Sequence, residues 1–417
     1  MTADKTPTHV SMDEKNHVEE PFLHQLETMP GLHWKVLRLD NYQAPEETQR
    51  TEFSQVIIKD ELATAIKKIN PWLEDDQVQE VIDKITRFEG ENLLQNNELA
   101  LQLLLKGTSV SENRKTGEKS PDVAIVDFDR PENNSYVAVS QFKVRIPGTD
   151  KHIYPDIICF LNGLPVVVIE AKSPKAKEPI PEAIDQLMRY CEQRNYQREG
   201  NKSLFYFNQF IVATSRQKAK FGTITTTIEK HFYRWTDPFP ATIDELINYC
   251  NPQKHLFVDE QNNDDGIEPA QRTSPNDQQR LVHGMLKPEN LLSIIRSFSV
   301  FSTDSKGNVV RIVGRYQQFR AVKKTVHQLL NGTNKHERGG IIWHTQGSGK
   351  SLTMIFLIRE MWLHPKLQSY KIVLLTDRTQ LDDQIKETAQ GVGFTINDPN
   401  TISKVKTALR SNSSEIV

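Results

Sequence analysis

Cysteine is scarce in this chain, with three in 417 residues, Cys159, Cys191 and Cys250, far apart and forming no C-x-x-C pair. That spacing excludes a disulfide framework and a cysteine zinc site, and it fits a reducing compartment, so a cytoplasmic protein is expected. Long apolar runs are missing as well. The best, Ile157 to Ile169, is broken by Asn162, Gly163 and Pro165, and the first 20 residues have no apolar core. Neither a membrane span nor a secretory leader is expected. Nor does one sign of charge prevail: Lys+Arg 52 against Asp+Glu 54 leaves a net −2, so the whole molecule makes no field that attracts DNA or anionic lipid. Contact with nucleic acid must come from local grooves or partner subunits.

What is present is a globular composition, 37% apolar and 25% charged, at a length that suits two or three domains. Residues 1–18 are polar and expected to form a mobile tail. Apolar residues at spacings of three and four predict helices from Asp60 to Leu105, clearest over Leu93–Leu105. From Asp122 the period changes to two, and the runs VAIVDF, YVAVSQFKVRI, YPDIICF and PVVVIEA predict strands of a mixed sheet. A helix over 181–194 and a buried strand over 204–214 complete a domain expected at 19–258. The polar stretch 259–279 predicts a linker. Beyond it, helices near 289–297 and 316–330 flank a hairpin about Lys306-Gly307-Asn308. A strand at 340–344, a Gly-rich turn, a helix at 350–362, a strand at 371–376 and a helix from Thr379 follow. That order predicts a doubly wound parallel α/β domain at 280–417.

The first chemical constellation is Pro155-Asp156, then, after thirteen residues, Glu170-Ala171-Lys172. Side chains at i and i+2 of a strand share a face, so Glu170 and Lys172 project together. Two carboxylates beside an ammonium suit a hard cation such as Mg²⁺, which takes oxygen ligands and can also hold a phosphate. The register decides whether Asp156 joins them. A two-residue Asn162-Gly163 turn sets Asp156 opposite Ile169, on the wrong face, whereas an odd-length loop or a bulge sets it opposite Glu170. The plainer alternative leaves both acids on the wet face of a half-buried hairpin. Against it, Val166–Ile169 is a continuous apolar run, and acids at the end of a strand buried on both sides are costly unless they bind something. Gln186 and Tyr190, at i and i+4, share a helix face and could support such a site; a Tyr half-buried with its hydroxyl in water fits that spacing equally well.

The second constellation runs from His344 through Thr345, Gln346, Gly347, Ser348, Gly349 and Lys350 to Ser351, between an apolar strand pattern and a helix pattern. Glycines let backbone amides curl round phosphates, Lys350 can reach the β and γ phosphates, and Ser351 can ligate Mg²⁺. His344 stands where the usual phosphate loop has its first glycine. A chance Gly-rich turn is the competing explanation. Thr376, Asp377 and Arg378 follow a buried-strand pattern, where Arg378 could hold a DNA backbone or simply pair with Asp377. A phosphate-loop motor also needs an acid on a later strand. After Ser351 the only acidic pair is Asp382-Asp383, in a helix pattern, so the chain is expected to stop part-way through its motor, ahead of the Walker B motif.

These residues resemble the restriction subunit, motor and endonuclease together, of type I restriction-modification enzymes. The resemblance rests on Asn133-Asn134, Gln141-Phe142-x-Val144, Pro155-Asp156-Ile157, Asn162-Gly163-Leu164-Pro165, Glu170-Ala171-Lys172-Ser173-Pro174, Gln186-x-x-x-Tyr190 and Phe221-Gly222-Thr223. It continues through Phe298-x-Val300-Phe301, Arg315-Tyr316-Gln317-Gln318-x-x-Ala321-Val322, Trp343 to Met354, and Thr376-Asp377-Arg378-x-x-Leu381-Asp382-x-Gln384. It spans residues 20 to 417, and His344 belongs to the family's form of the loop. The resemblance implies a PD-(D/E)xK nuclease-like mixed sheet with flanking helices, followed by the first part of a RecA-like, superfamily 2 helicase domain. It implies a Mg²⁺-dependent nuclease site at Asp156, Glu170 and Lys172, aided by Gln186 and Tyr190. It further implies ATP bound by the loop residues Thr345 to Ser351, adenine contact near Gln318, and DNA contact at Thr376, Asp377 and Arg378. The implied partners are double-stranded DNA and separate specificity and methyltransferase subunits.

Family members continue into an Asp-Glu motif, a second motor lobe and a helical assembly region, none of which this sequence contains. A parallel sheet beyond about residue 340 would then be short of neighbours. The expected function is a Mg²⁺-dependent DNA endonuclease subunit with the ATP-binding start of a translocase, motor activity itself not being expected. A module that only binds ATP or docks on partner subunits, and a stand-alone nuclease-helicase, compete with it.

Overall fold

The apolar runs between residues 35 and 222 assemble one six-stranded sheet: β1 (Lys35–Leu37), β2 (Tyr136–Ser140), β3 (Ile157–Leu161), β4 (Leu164–Ala171), β5 (Phe210–Ser215) and β6 (Lys218–Gly222), side by side in that order. The β1–β2 and β4–β5 pairs are parallel and the others antiparallel, so the sheet is mixed, as expected. The computed structural model describes residues 14–40, 42–194, 196–250, 274–303, 307–376, 379–391, 394–411 and 413–417. Two compact units part between Arg296 and Ser297.

In the first unit the helices are α1 (Glu20–Thr28), α2 (Lys59–Ile69), α3 (Asp75–Thr86), α4 (Leu93–Lys106), α5 (Pro179–Tyr190), α6 (Ile243–Cys250), α7 (Asp277–Leu286) and α8 (Pro288–Ser297). All eight residues of β4 are buried, as a strand covered on both faces requires. On one face, α5 starts at Pro179, whose fixed φ suits a first helical residue, and lays Ile180, Ala183, Ile184, Leu187 and Met188 against Ile158, Val168, Ile211 and Ala213. On the other, Phe221 meets Trp235 with ring centroids 5.8 Å apart.

The β3–β4 turn is Asn162 (φ 52°) and Gly163 (φ 76°), both left-handed, as a two-residue type I′ hairpin demands. It pairs Leu161 with Leu164 and Phe160 with Pro165. One residue on, the register shifts: Val166 is an extra residue, and Cys159 pairs with Val167, Ile158 with Val168 and Ile157 with Ile169. The Asn-Gly pair therefore keeps its preferred turn while a bulge supplies the shift. Continued by one residue, this register sets Asp156 against Glu170.

Several expectations differ from what forms. Residues 204–208 stay out of β5: Lys202–Phe205 is a 3-10 turn, and the buried Asn97 amide reaches the carbonyls of Phe205, Tyr206 and Asn208. Of VAIVDF only Val123 joins a strand, because the Asp127 carboxylate bends the chain by accepting from Asn133 Nδ2 (2.7 Å) and Arg130 N (2.9 Å). Of the expected tail, residues 14–18 belong to the fold: a π-helical turn, Lys15–Glu19, runs into α1 and buries Val18. Residues 1–13, and 259–273 of the expected linker, lie outside the described residues. The end of that linker opens α7, where Asn276 caps the helix by accepting from Gln279 N. Trp34 Nε1 donates to Leu286 O at 3.0 Å and Gln25 to Gln278 at 2.9 Å, so α7 packs with the first unit and the units divide at the last residue of α8.

In the second unit, β7 (Ser299–Thr303) and β8 (Val309–Val313) pair antiparallel as expected, Lys306 of their connection lying outside the described residues, and α9 (Tyr316–Asn331), α10 (Lys350–Leu363), α11 (Thr379–Gly391) and α12 (Ile402–Arg410) follow. Phe298 stands 4.9 Å from Phe319 and 5.2 Å from Phe356, pinning α9 against α10. The strands expected at 340–344 and 371–376 are not formed. Ile341 and Trp343 are 95% and 81% exposed, and Ile372 makes a single parallel bridge to Ile416, which also bridges Ile396. A parallel strand needs neighbours to cover its faces, and the described residues offer none to 340–344. No described helix is long and apolar enough to cross a membrane.

A Cβ on Gly163 would lie 2.3 Å from the Ile58 carbonyl oxygen, at a φ that L side chains rarely adopt. Gly163→Ala is expected to cost ~2 kcal/mol and lower Tm by about 4 °C or more. An unchanged thermal midpoint would contradict this turn geometry.

Candidate active site

Because β3 and β4 run antiparallel, the start of one and the end of the other meet at the same edge of the sheet, and β2 ends there too. Gln141, just past β2, donates its backbone N–H to Asp156 O at 2.9 Å. Its side-chain amide donates to Asp156 Oδ1 at 3.0 Å and to Glu19 Oε2 at 3.1 Å. The other Asp156 oxygen accepts from Ala171 N at 2.8 Å. Lys172, whose N–H continues the parallel ladder to Thr214 O, turns its ammonium back to Glu170 Oε1 (2.7 Å) and Ala171 O (2.8 Å). Asp156, Glu170 and Lys172 are thus brought together, Glu170 and Lys172 by their i, i+2 spacing and Asp156 by the bulge.

Two further acids complete the cluster. Glu14 Oε1 lies 3.6 Å from Lys172 Nζ, and Glu14 Oε2 accepts from Ser173 N at 3.0 Å. Oxygens of Glu14, Glu19 and Asp156 lie within 4.8 Å of one another. Three carboxylates, Glu170, Asp156 and Glu14, therefore act on the Lys172 ammonium, while Glu19 adjoins Asp156 and feels Lys15. Burial, and then the charge of Asp156, pushes Glu170 well above the usual carboxylate range. Burial raises Asp156 and Glu14, and burial together with Asp156 lifts Glu19 to about 8. Burial alone would lower Lys172, but Glu170, Asp156 and Glu14 outweigh it and hold it above its ordinary value. Glu170 Oε2 is buried with no hydrogen-bond partner. An all-oxygen, over-acidic donor set with an orphaned carboxylate oxygen fits a hard divalent cation such as Mg²⁺.

Gln186 and Tyr190 lie beside this cluster on α5. Gln186 Nε2 donates to Tyr190 Oη at 2.5 Å, and Tyr190 donates to Tyr154 O at 3.1 Å, just upstream of Asp156. Tyr190 is buried rather than wet, and burial followed by the charges of Glu170 and Asp156 holds its phenol well above its ordinary pKa.

In the second unit the loop before α10 has Gly347 (φ 75°) and Gly349 (φ 83°) in the left-handed region. Lys350 Nζ donates to the carbonyls of His344 (3.3 Å) and Thr345 (3.1 Å), so its ammonium curls back over its own loop. Ser348 Oγ donates to Thr345 O at 2.7 Å, Gln346 is exposed, and Ser351 is buried in the first turn of α10. Gln318, buried on α9, donates to Gly349 O at 3.0 Å, which ties the upstream glutamine to the loop. Thr376 is half-exposed; Asp377 and Arg378 lie outside the described residues.

Residues 13–230, which hold the whole acidic cluster, match the family model described as type I restriction enzyme R protein N terminus. This chain belongs to that family. Residues 317–417 match the SWI2/SNF2 ATPase model, which covers the Gly-rich loop. The chain is similar to the type I restriction enzyme HindI endonuclease subunit of Haemophilus influenzae, 31% identical over 341 residues, covering 81% of this chain and 29% of that protein. It is also similar to the type I restriction enzyme SsaAORF53P endonuclease subunit of Staphylococcus saprophyticus, 27% identical over 247 residues, covering 59% of this chain and 21% of that one. The chain thus spans about three tenths or less of the length of these relatives.

For this R-protein chain, sequence reasoning passed over Glu14, Glu19 and Gln141. The signal for the first two was present: Val18, Phe22, Leu23 and Leu26 continue one apolar stripe, which carries helical structure back into the supposed tail. Gln141 stands one residue past a strand and shows its role only once β2 and β3 are paired.

The raised carboxylates set a pH dependence. A group whose pKa is higher folded than unfolded holds more protons in the folded chain, so stability falls as pH rises from the ordinary 4.5 toward about 8, the range set by Glu19. At pH near 8 without divalent ions, Glu170→Gln is expected to raise Tm by about 2 °C or more, and Mg²⁺ to stabilise wild type more than the variant. A variant less stable than wild type under those conditions would contradict the electrostatic account.

Proposed function

We propose that the acidic cluster is the Mg²⁺-dependent phosphodiesterase centre of a type I restriction endonuclease subunit, on a PD-(D/E)xK-like sheet, acting on double-stranded DNA. The observation that carries this is the bulge at Val166, which sets Asp156 against Glu170 beside Lys172 in a buried, over-acidic site. Asp156 and Glu170 would hold the ion, with Glu19 and Glu14 adjoining. When bound, Mg²⁺ offsets the charge that develops on the leaving oxygen. Lys172, fixed by Glu170 and the Ala171 carbonyl, presents its ammonium to the attacked phosphate and orients the attacking water. Gln141 holds Asp156 and Glu19 in place, and Tyr190 with Gln186 braces the strand that carries Asp156.

In the second unit, the match to the SWI2/SNF2 ATPase model and the left-handed glycines support ATP binding at Thr345 to Ser351. Backbone amides of Gly347 and Gly349 would cradle the phosphates, Lys350 would exchange its carbonyl partners for them, and Ser351 would face Mg²⁺. The loop would then belong to the start of a RecA-like translocase, with Gln318 at the adenine side and Thr376 to Arg378 on the DNA. Separate specificity and methyltransferase subunits in the cytoplasm complete this reading.

The test is nicking of supercoiled plasmid by the purified chain. Mg²⁺-dependent nicking that disappears in both Asp156→Ala and Lys172→Ala, by at least about 10²-fold, is expected. Nicking that persists in EDTA, or in both variants, would place the chemistry elsewhere.

A further inference from the structure

Beyond the acidic cluster, the first unit has an open cavity of about 940 Å³ where the start of α5 and the start of α7 flank β6. Five cations line it, Lys177, Lys218, Lys220, Arg234 and Arg280, against three acids, Glu178, Glu229 and Asp277. Lys220 pairs with Glu229 at 2.7 Å and Arg234 with Asp277 at 2.5 Å. Lys177 and Lys218 are exposed and form no ion pair among the described residues, and Arg280 Nε is shielded from solvent without a hydrogen-bond partner. In a chain of net charge −2, this is a local excess of positive charge in a concave site.

The sheet register fixes where that charge points. Glu170 pairs with Ala213, and Ala213 with Lys220, so Glu170 and Lys220 lie in one cross-strand row on the same face. Continuing one residue past β4, Lys172 falls beside Ser215, which pairs with Lys218. The two lysines of β6 therefore share the face of Glu170 and Lys172, two strand spacings away, roughly 10 Å. At roughly 3.4 Å of helix axis per phosphate on one strand, that gap is about three nucleotides of duplex.

We propose that this cavity is a backbone-phosphate site, in which Lys177, Lys218 and Arg280 grip the sugar-phosphate backbone of double-stranded DNA about three nucleotides from the bond held at Asp156 and Glu170. The assignment of that bond rests on the nuclease reading above; the cavity's charge and its place on the sheet do not. Its contacts go to phosphates, so the grip is independent of sequence and positions the duplex without reading it.

The experiment measures binding of a fluorescent duplex of about 20 base pairs to the full chain, without divalent ions, across a salt series. Lys177→Gln/Lys218→Gln is expected to make the slope of log Kd against log salt shallower by about 1.8, and to weaken binding about ten-fold or more near ~0.1 M salt. A control pair on α3 and α4 outside the cavity lining, Lys84→Gln/Lys106→Gln, is expected to leave the slope unchanged. A wild-type slope in the cavity variant, an equal loss in the control pair, or no duplex binding by wild type at low salt would overturn the proposal. Plasmid nicking separates the two ideas. Nicking lost in Lys172→Ala with an unchanged slope in the cavity variant removes the cavity and keeps the nuclease. A shallower slope with nicking that survives Lys172→Ala keeps the cavity and removes the nuclease.

Discussion

A strand pair alternates its side chains with a period of two, so a single residue of register decides whether an acid on one strand meets an acid on the next or points away from it. Whether Asp156 meets Glu170 in this protein depends on that residue. The Asn162-Gly163 turn on its own would leave Asp156 facing Ile169; the extra Val166 moves it to Glu170. From that alignment follows the Ala171 N–H on Asp156, while Lys172 reaches Glu170 by their i, i+2 spacing on β4 and Gln141 reaches Asp156 through the β2–β3 pairing. The cavity lysines of β6 share the face of Glu170 through the unbroken β4–β5 and β5–β6 registers.

Such an alignment works against stability. Gathering Glu14, Asp156 and Glu170 around Lys172, with Glu19 against Asp156, raises the carboxylate pKa values through burial and mutual repulsion. A core built only for stability would not keep Glu170 Oε2 buried without a partner. The strain is local, and the apolar stripe of α5 with the fully buried β4 offsets it.

Much of this was legible in the residues. The change of period at Asp122, the continuous run Val166–Ile169 and the Glu170–Lys172 spacing carry the mixed sheet and three members of the cluster, and the choice between hairpin registers was set out by parity alone. What escaped has physical causes. Glu14 and Glu19 sit in polar text at the start of an apolar stripe that begins only at Val18, so their helical signal is present but short. Leu204–Asn208 looks like strand but is captured by Asn97, more than a hundred residues away in sequence. The strand patterns at 340–344 and 371–376 are strong locally yet require partners, and a parallel sheet takes its stability from neighbours rather than from one run.

The two units therefore stand differently. In the first, the site's geometry is carried by interlocking strand pairs; in the second, the Gly-rich loop is shaped by its own glycines and by Gln318, while Ile341 and Trp343 remain exposed. The account turns on a divalent ion at the bulge-aligned carboxylates. The direct test is anomalous diffraction from crystals of the chain soaked in Mn²⁺ as a Mg²⁺ substitute. An anomalous peak about 2.0–2.3 Å from oxygens of both Asp156 and Glu170 is the expected result. Ordered carboxylates with no peak between them, in crystals that show Mn²⁺ elsewhere, would contradict it.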